Sequence, residues 1–563
     1  MLFFAKQKCL FTVNLMDSIY LPSREPQFDV PNTVEFPPIG LDFGTTNSVL
    51  AHYTDEFHQR GAYAYQLPLL NGGNIYPSVV YYNRMNDKYI TGVAAKMKLF
   101  TDPNAVVTSV KRQISSQAIQ IAEIFVSPLD ITTEIISGLL REVKSTELTL
   151  QPTTVTMTVP YYFKQSQNNL LQRAVANAFN EVFGKTYEID LIPEPIAAAL
   201  DYVYTCHTEK NISQTILIYD IGGGTCDVAM VRYTLSGKSL EFEVLGIDGD
   251  EQFGGDDIDQ ILLEYICNEY DIDLQILITN KLYSKTLAIL REAVKNLKED
   301  LSLLEDSNLI IPSLYIGGAY KTVDVVVTRR EFNELLRNKK ISGREYTILN
   351  TFDSAIKRLK RKVHNIGVDA LLPIGGTSNI PAIQEVVKQN YPIAKHIYLP
   401  NKGVQVSVAR GASIMSALKD SRVLMPFGKS IQKIVIKMRV PHSFCVAMHD
   451  GSLVRLIHAN SPAPSVATQT FYATRCDVSG QCIELPSIEL YQGEGISISS
   501  PSVELVGRID LSSYSLYTHS RNLDDIPIKI TFKADATNLE AYIVATGVNA
   551  DGSNLIINET IKL

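Results

Sequence analysis

The chain has 563 residues, enough for about three or four domains of ordinary size. Hydrophobic residues make up 45% and charged residues 20%, a balance that excludes a mainly disordered protein. A net charge of −8 leaves no broad basic field, which argues against nucleic acid as the main partner. No apolar run approaches about 18 residues, so we expect no membrane-spanning helix. The seven cysteines form no CxxC pair, which excludes a zinc ribbon and a thioredoxin-type site.

Residues 1–38 are predicted to be a disordered N-terminal extension. The first 16 residues resemble a signal peptide only weakly, because Lys6, Gln7 and Lys8 interrupt the apolar stretch. Met16 is an alternative start, and five prolines follow between residues 17 and 38. We therefore expect a cytoplasmic protein with reduced thiols.

Residues 39–50, IGLDFGTTNSVL, predict a strand, a Gly-Thr turn and a second strand. Residues 215–230, TILIYDIGGGTCDVAM, repeat this layout, with Asp220 in the place of Asp42. Such self-similarity predicts two related α/β units.

Two amphipathic helices are predicted between and after these turns. One places Leu171, Val175, Ala178 and Val182 on one face and ends at Gly184. The other follows an apolar stripe of packing residues: Leu290, Val294, Leu297, Leu301 and Leu304. Beyond about residue 420, short β-branched and aromatic runs alternate with turns such as His449-Asp450-Gly451, which predicts an all-β unit.

Three Gly-rich turns carry the functional signal: Asp42-Phe43-Gly44-Thr45-Thr46, Asp220-Ile221-Gly222-Gly223-Gly224-Thr225-Cys226-Asp227 and Ile374-Gly375-Gly376-Thr377. Glycines let successive backbone N–H groups approach a phosphate, and threonine hydroxyls add donors. An aspartate before such a turn repels phosphate but can hold a hydrated Mg²⁺. Neither a GxxxxGK[ST] nor a GxGxxG motif is present, so a P-loop or dinucleotide fold is not the source.

These turns, together with VTMTVPYYFKQSQ, LIPEPIAAAL, FGGDDID, LPIGGTSNIPAIQ, ARGAS and IELYQGEG, resemble the heat shock protein 70 family of ATP-dependent chaperones. The resemblance implies an α/β two-lobed, actin-like ATPase domain over residues 39–419, a linker over 420–436 and a β-sandwich substrate domain over 437–563. IELYQGEG separates this family from actin and the sugar kinases, and so counts against the alternative of a small-molecule kinase.

The resemblance also assigns roles to individual residues. Lys111, Glu194, Thr225 and Asp227 match catalytic positions, and Asp42 and Asp220 match those that hold Mg²⁺ through water. Nucleotide contacts are implied at Gly44, Thr45, Thr46, Gly222, Gly223, Gly224, Gly254, Gly255, Lys298, Ser302, Gly375, Gly376 and Thr377. The implied cofactors are ATP or ADP and Mg²⁺, with K⁺ as a further candidate.

The sequence departs from the family where adenine is commonly sandwiched between two arginines. Glu299 and Asn379 stand at those positions, and Lys295 replaces a carboxylate. Each stacking cation is worth about 1 kcal/mol or more when desolvated, so we expect weaker nucleotide affinity or relaxed base choice. Asn168 replaces an arginine of the interlobe switch, and Asp190 inverts the charge on the face that J-domain proteins use.

In the sandwich, the peptide-binding positions of the family match Val446, Met448, Phe471 and Ile488, while His449 and Pro486 alter the cleft. No helical lid is expected after Leu563. The implied partners are extended apolar peptides, a J-domain cochaperone and a nucleotide-exchange factor, with neither nucleic acid nor membrane. The leading hypothesis is an ATP-hydrolysing, lidless chaperone; the alternative is a nucleotide-binding scaffolding protein with little turnover.

Overall fold

A computed structural model describes residues 37–562 apart from 55–60, 66, 68–72, 207–210, 251, 342, 397–402, 420–432, 449, 473–474, 477–480, 485–486, 501, 511–515, 518–526, 535–538 and 549–553. The predicted N-terminal extension up to residue 36, most of the predicted linker, His449 and Pro486 therefore lie outside the described residues. Within the described residues, no helix is both long and apolar enough to cross a membrane.

The first α/β unit is built around a six-stranded sheet. Its elements are β1 (Ile39–Phe43), β2 (Asn47–Thr54), β3 (Gly61–Ala64), β4 (Tyr76–Pro77), β5 (Val80–Asn83), β6 (Lys88–Thr91), α1 (Gly92–Met97), β7 (Val106–Val107), β8 (Ile119–Ile121), β9 (Ile124–Val126), α2 (Pro128–Thr146), β10 (Val155–Val159), α3 (Gln165–Phe183), β11 (Ile189–Pro193) and α4 (Glu194–Cys206).

The second α/β unit is built around another six-stranded sheet. Its elements are β12 (Asn211–Ile221), β13 (Cys226–Ser236), β14 (Ser239–Asp250), α5 (Gly255–Glu269), α6 (Leu274–Thr279), α7 (Ser284–Leu303), β15 (Asp306–Ile316), β16 (Ala319–Thr328), α8 (Arg329–Asn338), α9 (Ile348–Lys362), β17 (Ala370–Ile374), α10 (Pro381–Asn390), β18 (Lys395–His396) and α11 (Gly403–Lys419).

The two sheets repeat one topology. The first runs β11-β10-β1-β2-β3 and the second β18-β17-β12-β13-β14. In both, the strand that precedes the Asp-Gly turn pairs antiparallel with the next strand and parallel with the later one. The repeat expected from Asp42 and Asp220 is therefore visible in the strand order. Helices α4 and α11 pack against each other between the sheets, where their alanine-rich faces allow close approach.

Both predicted helices form, with one error at an end. Helix α3 contains the first apolar face and ends at Gly184, whose φ of 68° lies in the left-handed region that favours glycine. Helix α7 buries Leu290, Val294, Leu297 and Leu301. Leu304 was wrongly placed on this packing face: the helix ends at Leu303, the backbone turns extended, and the Leu304 side chain is 52% exposed.

The described part of the C-terminal region contains only strands. They are β19 (Lys433–Lys437), β20 (Phe444–Ala447), β21 (Leu453–Ile457), β22 (Ser465–Tyr472), β23 (Arg475–Cys476), β24 (Gln481–Glu484), β25 (Ser487–Gln492), β26 (Glu504–Asp510), β27 (Leu516–Tyr517), β28 (Pro527–Ala534), β29 (Leu539–Val548) and β30 (Asn554–Lys562). Strands β20, β21, β25 and β26 form a four-stranded antiparallel sheet, and the strands from β22 onward, β25 and β26 excepted, form a seven-stranded one.

Strand β19 joins this region to the second α/β unit. It pairs parallel with β14, and Ile434 and Ile436 pack onto the core between the sheets. The last residues of the predicted linker are therefore an edge strand of the second sheet.

The sandwich also contacts the segment that follows β10. The backbone N–H of Gln165 donates to Oε1 of Gln492 at 3.1 Å, and Nζ of Lys164 lies 3.3 Å from Oε2 of Glu504. Nε2 of His442 lies 2.6 Å from the carbonyl oxygen of Tyr162. These contacts hold the sandwich against the N-terminal end of α3.

Arg439 binds three parts of the chain at once. Its Nε donates to the carbonyl oxygen of Val244 in β14 and its Nη1 to that of Asn460 in the sandwich. Its backbone N–H and carbonyl both bond to the hydroxyl of Tyr161 in the first unit. This residue therefore fixes where the chain passes from β19 into the sandwich.

Candidate functional site

The first Gly-rich turn follows β1. Strand β1 ends at Phe43, and Gly44 closes the turn with an N–H donated to the carbonyl oxygen of Asn47 at 3.0 Å. Asp42, one residue before the end of β1, accepts a hydrogen bond of 2.9 Å from Oγ1 of Thr158 in β10. This bond fixes the carboxylate at the start of the turn.

The second turn connects β12 to β13 and faces the first. Its Gly222 N–H donates to the carbonyl oxygen of Thr225 at 3.1 Å, and Asp220 lies opposite Asp227 in the two strands. A Cβ on Gly223 would lie 2.2 Å from Oγ1 of Thr46, so only glycine allows the two turns to approach this closely.

The third turn and the start of α5 both contact the second turn. Gly375 has a φ of 74°, and a Cβ there would lie 2.5 Å from Oδ1 of Asp220. Oγ1 of Thr377 donates to the carbonyl oxygen of Gly222 at 2.9 Å, and the N–H of Gly255 donates to the same oxygen at 2.9 Å. The three turns and Gly255 therefore converge on one point.

Lys111 and Glu194 lie beneath the turns as a buried ion pair. Nζ of Lys111, on the short 3₁₀ turn Val110–Gln113, is 2.8 Å from Oε1 of Glu194, the first residue of α4. Their side chains are 6% and 8% exposed. The pair connects the wall of the first unit to the helix between the sheets.

The carboxylates around this pair carry more negative charge than Lys111 neutralises. Burial and the neighbouring Glu194 raise the pKa of Asp42 to about 6, against a lowering by Lys111. Burial, with Glu194, Asp227 and Asp42, raises the pKa of Asp220 well above its usual range. A cation would relieve this repulsion. Among the described residues no group of three or more His, Cys, Asp or Glu side chains could hold a metal ion. Asp42 and Asp220, whose pKa values are raised by burial and this repulsion, are the residues that would hold a Mg²⁺ ion through water.

The turns and the ion pair surround a cavity of about 460 Å³, within the range of small-molecule sites. Fifteen of the predicted site residues line it: Asp42, Gly44, Thr45, Thr46, Lys111, Glu194, Asp220, Gly222, Gly223, Thr225, Lys298, Ser302, Gly375, Gly376 and Thr377. The predicted residues Gly224, Asp227, Gly254 and Gly255 do not line the cavity; they belong to the second turn, to β13 and to the start of α5. Most of the residues named from the sequence therefore line this cavity, and the others belong to the elements beside it.

The residues at which the sequence departs from the family pattern also belong to this cavity. Lys295, Glu299 and Asn379 all line it. Lys298 is anchored there, with Nζ 2.8 Å from Oδ1 of Asp259 and 3.2 Å from the carbonyl oxygen of Gly255. Burial, together with the nearby Lys96 and Lys298, lowers the pKa of Lys295.

Sequence reasoning missed Arg112 and Asp259. Nη2 of Arg112 donates to the carbonyl oxygens of Gly223 and Gly224 and to Oδ2 of Asp257. The guanidinium thus holds the second turn against α5. The adjacent Lys111 was predicted from the sequence, but no motif indicates that Arg112 contacts Gly223, Gly224 and Asp257, which are more than a hundred residues away.

A family model described as Hsp70 protein matches residues 38–125 and 116–541. The chain belongs to the Hsp70 family. Members of this family are in general ATP-binding chaperones that hydrolyse ATP, bind unfolded peptides and work with J-domain and nucleotide-exchange cochaperones.

The sandwich of this Hsp70-family chain places the predicted peptide contacts at different depths. Val446 and Ile488 are each 3% exposed, whereas Met448, just after β20, is 50% exposed. Val446 lies opposite Leu490 and Ile488 lies opposite Ile509 in one sheet. The backbone of Phe471 belongs to β22, and its side chain lies outside the described residues. Of these predicted contact residues, Met448 is therefore exposed to solvent, whereas Val446 and Ile488 are buried within the sheet.

Proposed function

We propose that this protein is an ATP-dependent chaperone with an actin-like ATPase domain, which hydrolyses ATP in the 460 Å³ cavity and binds extended apolar peptides through its β-sandwich. The observation that carries the proposal is the buried Lys111–Glu194 pair beneath the converging Gly-rich turns. The repeated topology of the two sheets supports it, since Asp42 and Asp220, one from each repeat, line the same cavity.

In the proposed reaction each side chain has a separate task. The N–H groups of the turns bind phosphate oxygens, and the ammonium of Lys111 offsets the charge that develops as the terminal phosphoryl group is transferred. Glu194 holds that ammonium in place, and its carboxylate orients the attacking water, while Asp227, which does not line the cavity, supports this arrangement from β13. Mg²⁺, when bound through water at Asp42 and Asp220, would offset the charge of the phosphate oxygens.

The second candidate is a nucleotide-binding scaffolding protein with little turnover. Glu299 and Asn379 favour it, because both line the cavity at the positions where the family carries its stacking arginines. Losing two cation–π contacts would weaken nucleotide binding without changing the phosphate end.

Steady-state ATP hydrolysis by the full-length protein separates the two candidates. A chaperone should show Mg²⁺-dependent turnover that rises when an unfolded apolar peptide is added. A scaffolding protein should bind ATP in calorimetry and release almost no phosphate, with or without peptide. The same calorimetry with GTP tests the base end, where strong rejection of GTP together with tight ATP binding would contradict relaxed base choice.

A further inference from the structure

A wide groove lies on the second α/β unit, apart from the nucleotide cavity. It has a volume of about 1080 Å³ and shares none of the residues that line that cavity. Helix α9, the segment before it, the end of β14 and the end of α10 form its walls. Its charged lining residues are Arg344, Lys357, Arg358, Lys360, Arg361, Asp250 and Glu345. A groove with five cations and two carboxylates is unusual in a chain of net charge −8.

Two of the arginines are held rigidly at the β14 wall. The guanidinium of Arg344 binds both carboxylate oxygens of Asp250 and also donates to the carbonyl oxygen of Gln252 at 3.0 Å. Nε of Arg358 donates to Oδ1 of Asp248 at 2.8 Å. Fixed guanidinium groups lose little side-chain entropy when an anion binds beside them.

The remaining cations exceed the carboxylates that could neutralise them. Lys362 pairs with the same Asp248 as Arg358, at 2.8 Å, so two positive charges share one carboxylate. Among the described residues, Nζ of Lys360 donates to the backbone carbonyl of Asn390 at 2.9 Å, lies over the ring of Tyr391 and has no carboxylate partner. Within the described residues, the exposed guanidinium of Arg361 has no hydrogen bond or ion pair. Helix α9 therefore presents excess positive charge to the groove.

We propose that this groove is a docking site for an acidic peptide segment of a partner protein. Lys357, Lys360 and Arg361 are spaced i, i+3 and i+4, so they share one face of α9. Lys357 is paired with Asp353 at 2.5 Å, whereas Lys360 and Arg361 have no carboxylate partner among the described residues. Carboxylates along a peptide can reach such a row together. The amide side chains of Asn365 and Gln252, also in the lining, are suited to hydrogen bonds with a peptide backbone.

The charge distribution favours a peptide over nucleic acid. Asp250 and Glu345 lie inside the groove and would repel a continuous line of phosphates, as would the net charge of the chain. A peptide can place neutral residues opposite these two carboxylates and acidic residues opposite α9. The volume is also larger than that of most small-ligand sites.

The test is fluorescence anisotropy with the full-length protein and a labelled peptide of alternating glutamate and serine, at about 0.05 M salt. A peptide of alternating glutamine and serine is the uncharged control. We expect only the acidic peptide to bind, and Arg361→Glu to weaken its affinity about tenfold. ATP hydrolysis should be unchanged in this variant, because Arg361 has no contact with the nucleotide cavity.

Lys321→Glu is the matched control, since it makes the same charge change at an exposed position of β16 outside the groove. Equal loss of affinity in both variants would show that binding depends only on the net charge of the protein and not on the groove, and would overturn the proposal. So would the absence of binding by the acidic peptide. Tighter binding of a single-stranded RNA of equal charge would also overturn it, in favour of a nucleic-acid site.

Discussion

Of the three lysines that line the described cavity, Lys111 is the one that pairs with Glu194 and lowers the pKa values of Asp42 and Asp220 against the effect of burial. Burial alone would lower its pKa, but the attraction of Glu194 and Asp42 outweighs burial and raises it, which keeps the ammonium charged. In the proposed reaction, an ammonium so placed would act on the phosphate throughout the physiological pH range.

We expect Lys111→Ala to lower single-turnover ATP hydrolysis at least about tenfold, equivalent to roughly 1.4 kcal/mol of barrier. The physical reason is the loss of the charge that offsets the transferred phosphoryl group. Lys111→Arg keeps a cation in the site and controls for folding, and calorimetry should still detect nucleotide in both variants. An unchanged rate in Lys111→Ala would refute the catalytic role.

The hydrogen bond between His442 and Tyr162 makes the docking of the sandwich on the first unit sensitive to pH. Burial lowers the pKa of His442 below its ordinary 6.5, as does Lys164, while the hydrogen bond to Tyr162 and the charges of Glu494 and Glu504 act in the opposite direction. Since the docked state disfavours the protonated ring, the docking contribution of His442 is complete above about pH 6.5 and falls as the pH drops below it.

We therefore expect the sandwich to separate more readily at about pH 5.5 than at about pH 7.5. Small-angle scattering should show a larger radius of gyration at the lower pH. His442→Gln keeps a hydrogen-bond donor but does not titrate, so its radius should change less. If this variant and the parent protein expand equally, another group controls the separation.

Individual site residues were predictable where a local motif places them. Asp42 and Asp220 lie at the ends of strands next to Gly-rich turns, and a few consecutive residues are enough to recognise such a turn. Arg112 and Asp259 were missed because their role depends on contacts between segments that are far apart in the sequence. The depth of Val446 and Ile488 was equally unpredictable, since alternation along a strand does not show which face is covered.

At the scale of elements, β19 controls how the sandwich is attached. Ile436 pairs with the buried Phe242 of β14 and packs onto the core between the sheets. The neighbouring Val435 points to the other face of the strand. The sequence predicted a linker over 420–436, but not that its last residues form a strand paired with β14, because a parallel pairing leaves no local signature.

Ile436→Asp should release β19 from β14, because burying a carboxylate there costs more than the roughly 1.5–3 kcal/mol that the isoleucine contributes. Limited proteolysis should then cleave within residues 433–437 in the variant but not in the parent protein. Val435→Asp is the matched control and should have a smaller effect. Equal cleavage of both variants would show that the apolar contact does not hold the strand.

At the scale of the whole molecule, the proposed chaperone activity requires the sandwich to bind peptide while attached to the ATPase domain. Met448 is the most accessible of the described cleft residues. A labelled Leu-rich heptapeptide flanked by basic residues should bind the full-length protein, and Met448→Asp should weaken binding about tenfold by removing apolar contact.

Val466→Asp provides the comparison, because Val466 is 62% exposed on β22 and was not predicted to contact peptide. Similar affinities in the parent protein and Met448→Asp would place the peptide elsewhere.

The overall architecture, two repeated α/β units followed by strands, was predictable from the sequence. The repeated motif and the change from helical to strand patterns both extend over long stretches of the chain. The docking of the sandwich onto α3 was not predictable, since it depends on isolated polar contacts such as Gln165 with Gln492.

The position of β19 at the edge of the second sheet also affects how copies of the chain meet one another. When β19 detaches, the hydrogen-bonding edge of β14 over residues 239–243 is open to any strand of suitable direction. The nearest complementary sequence in a concentrated solution is the β19 of another copy, whose Lys437 can meet Glu241 as it does within one chain. Release of the linker would therefore favour reciprocal strand exchange, and the species that accumulates would be a swapped dimer.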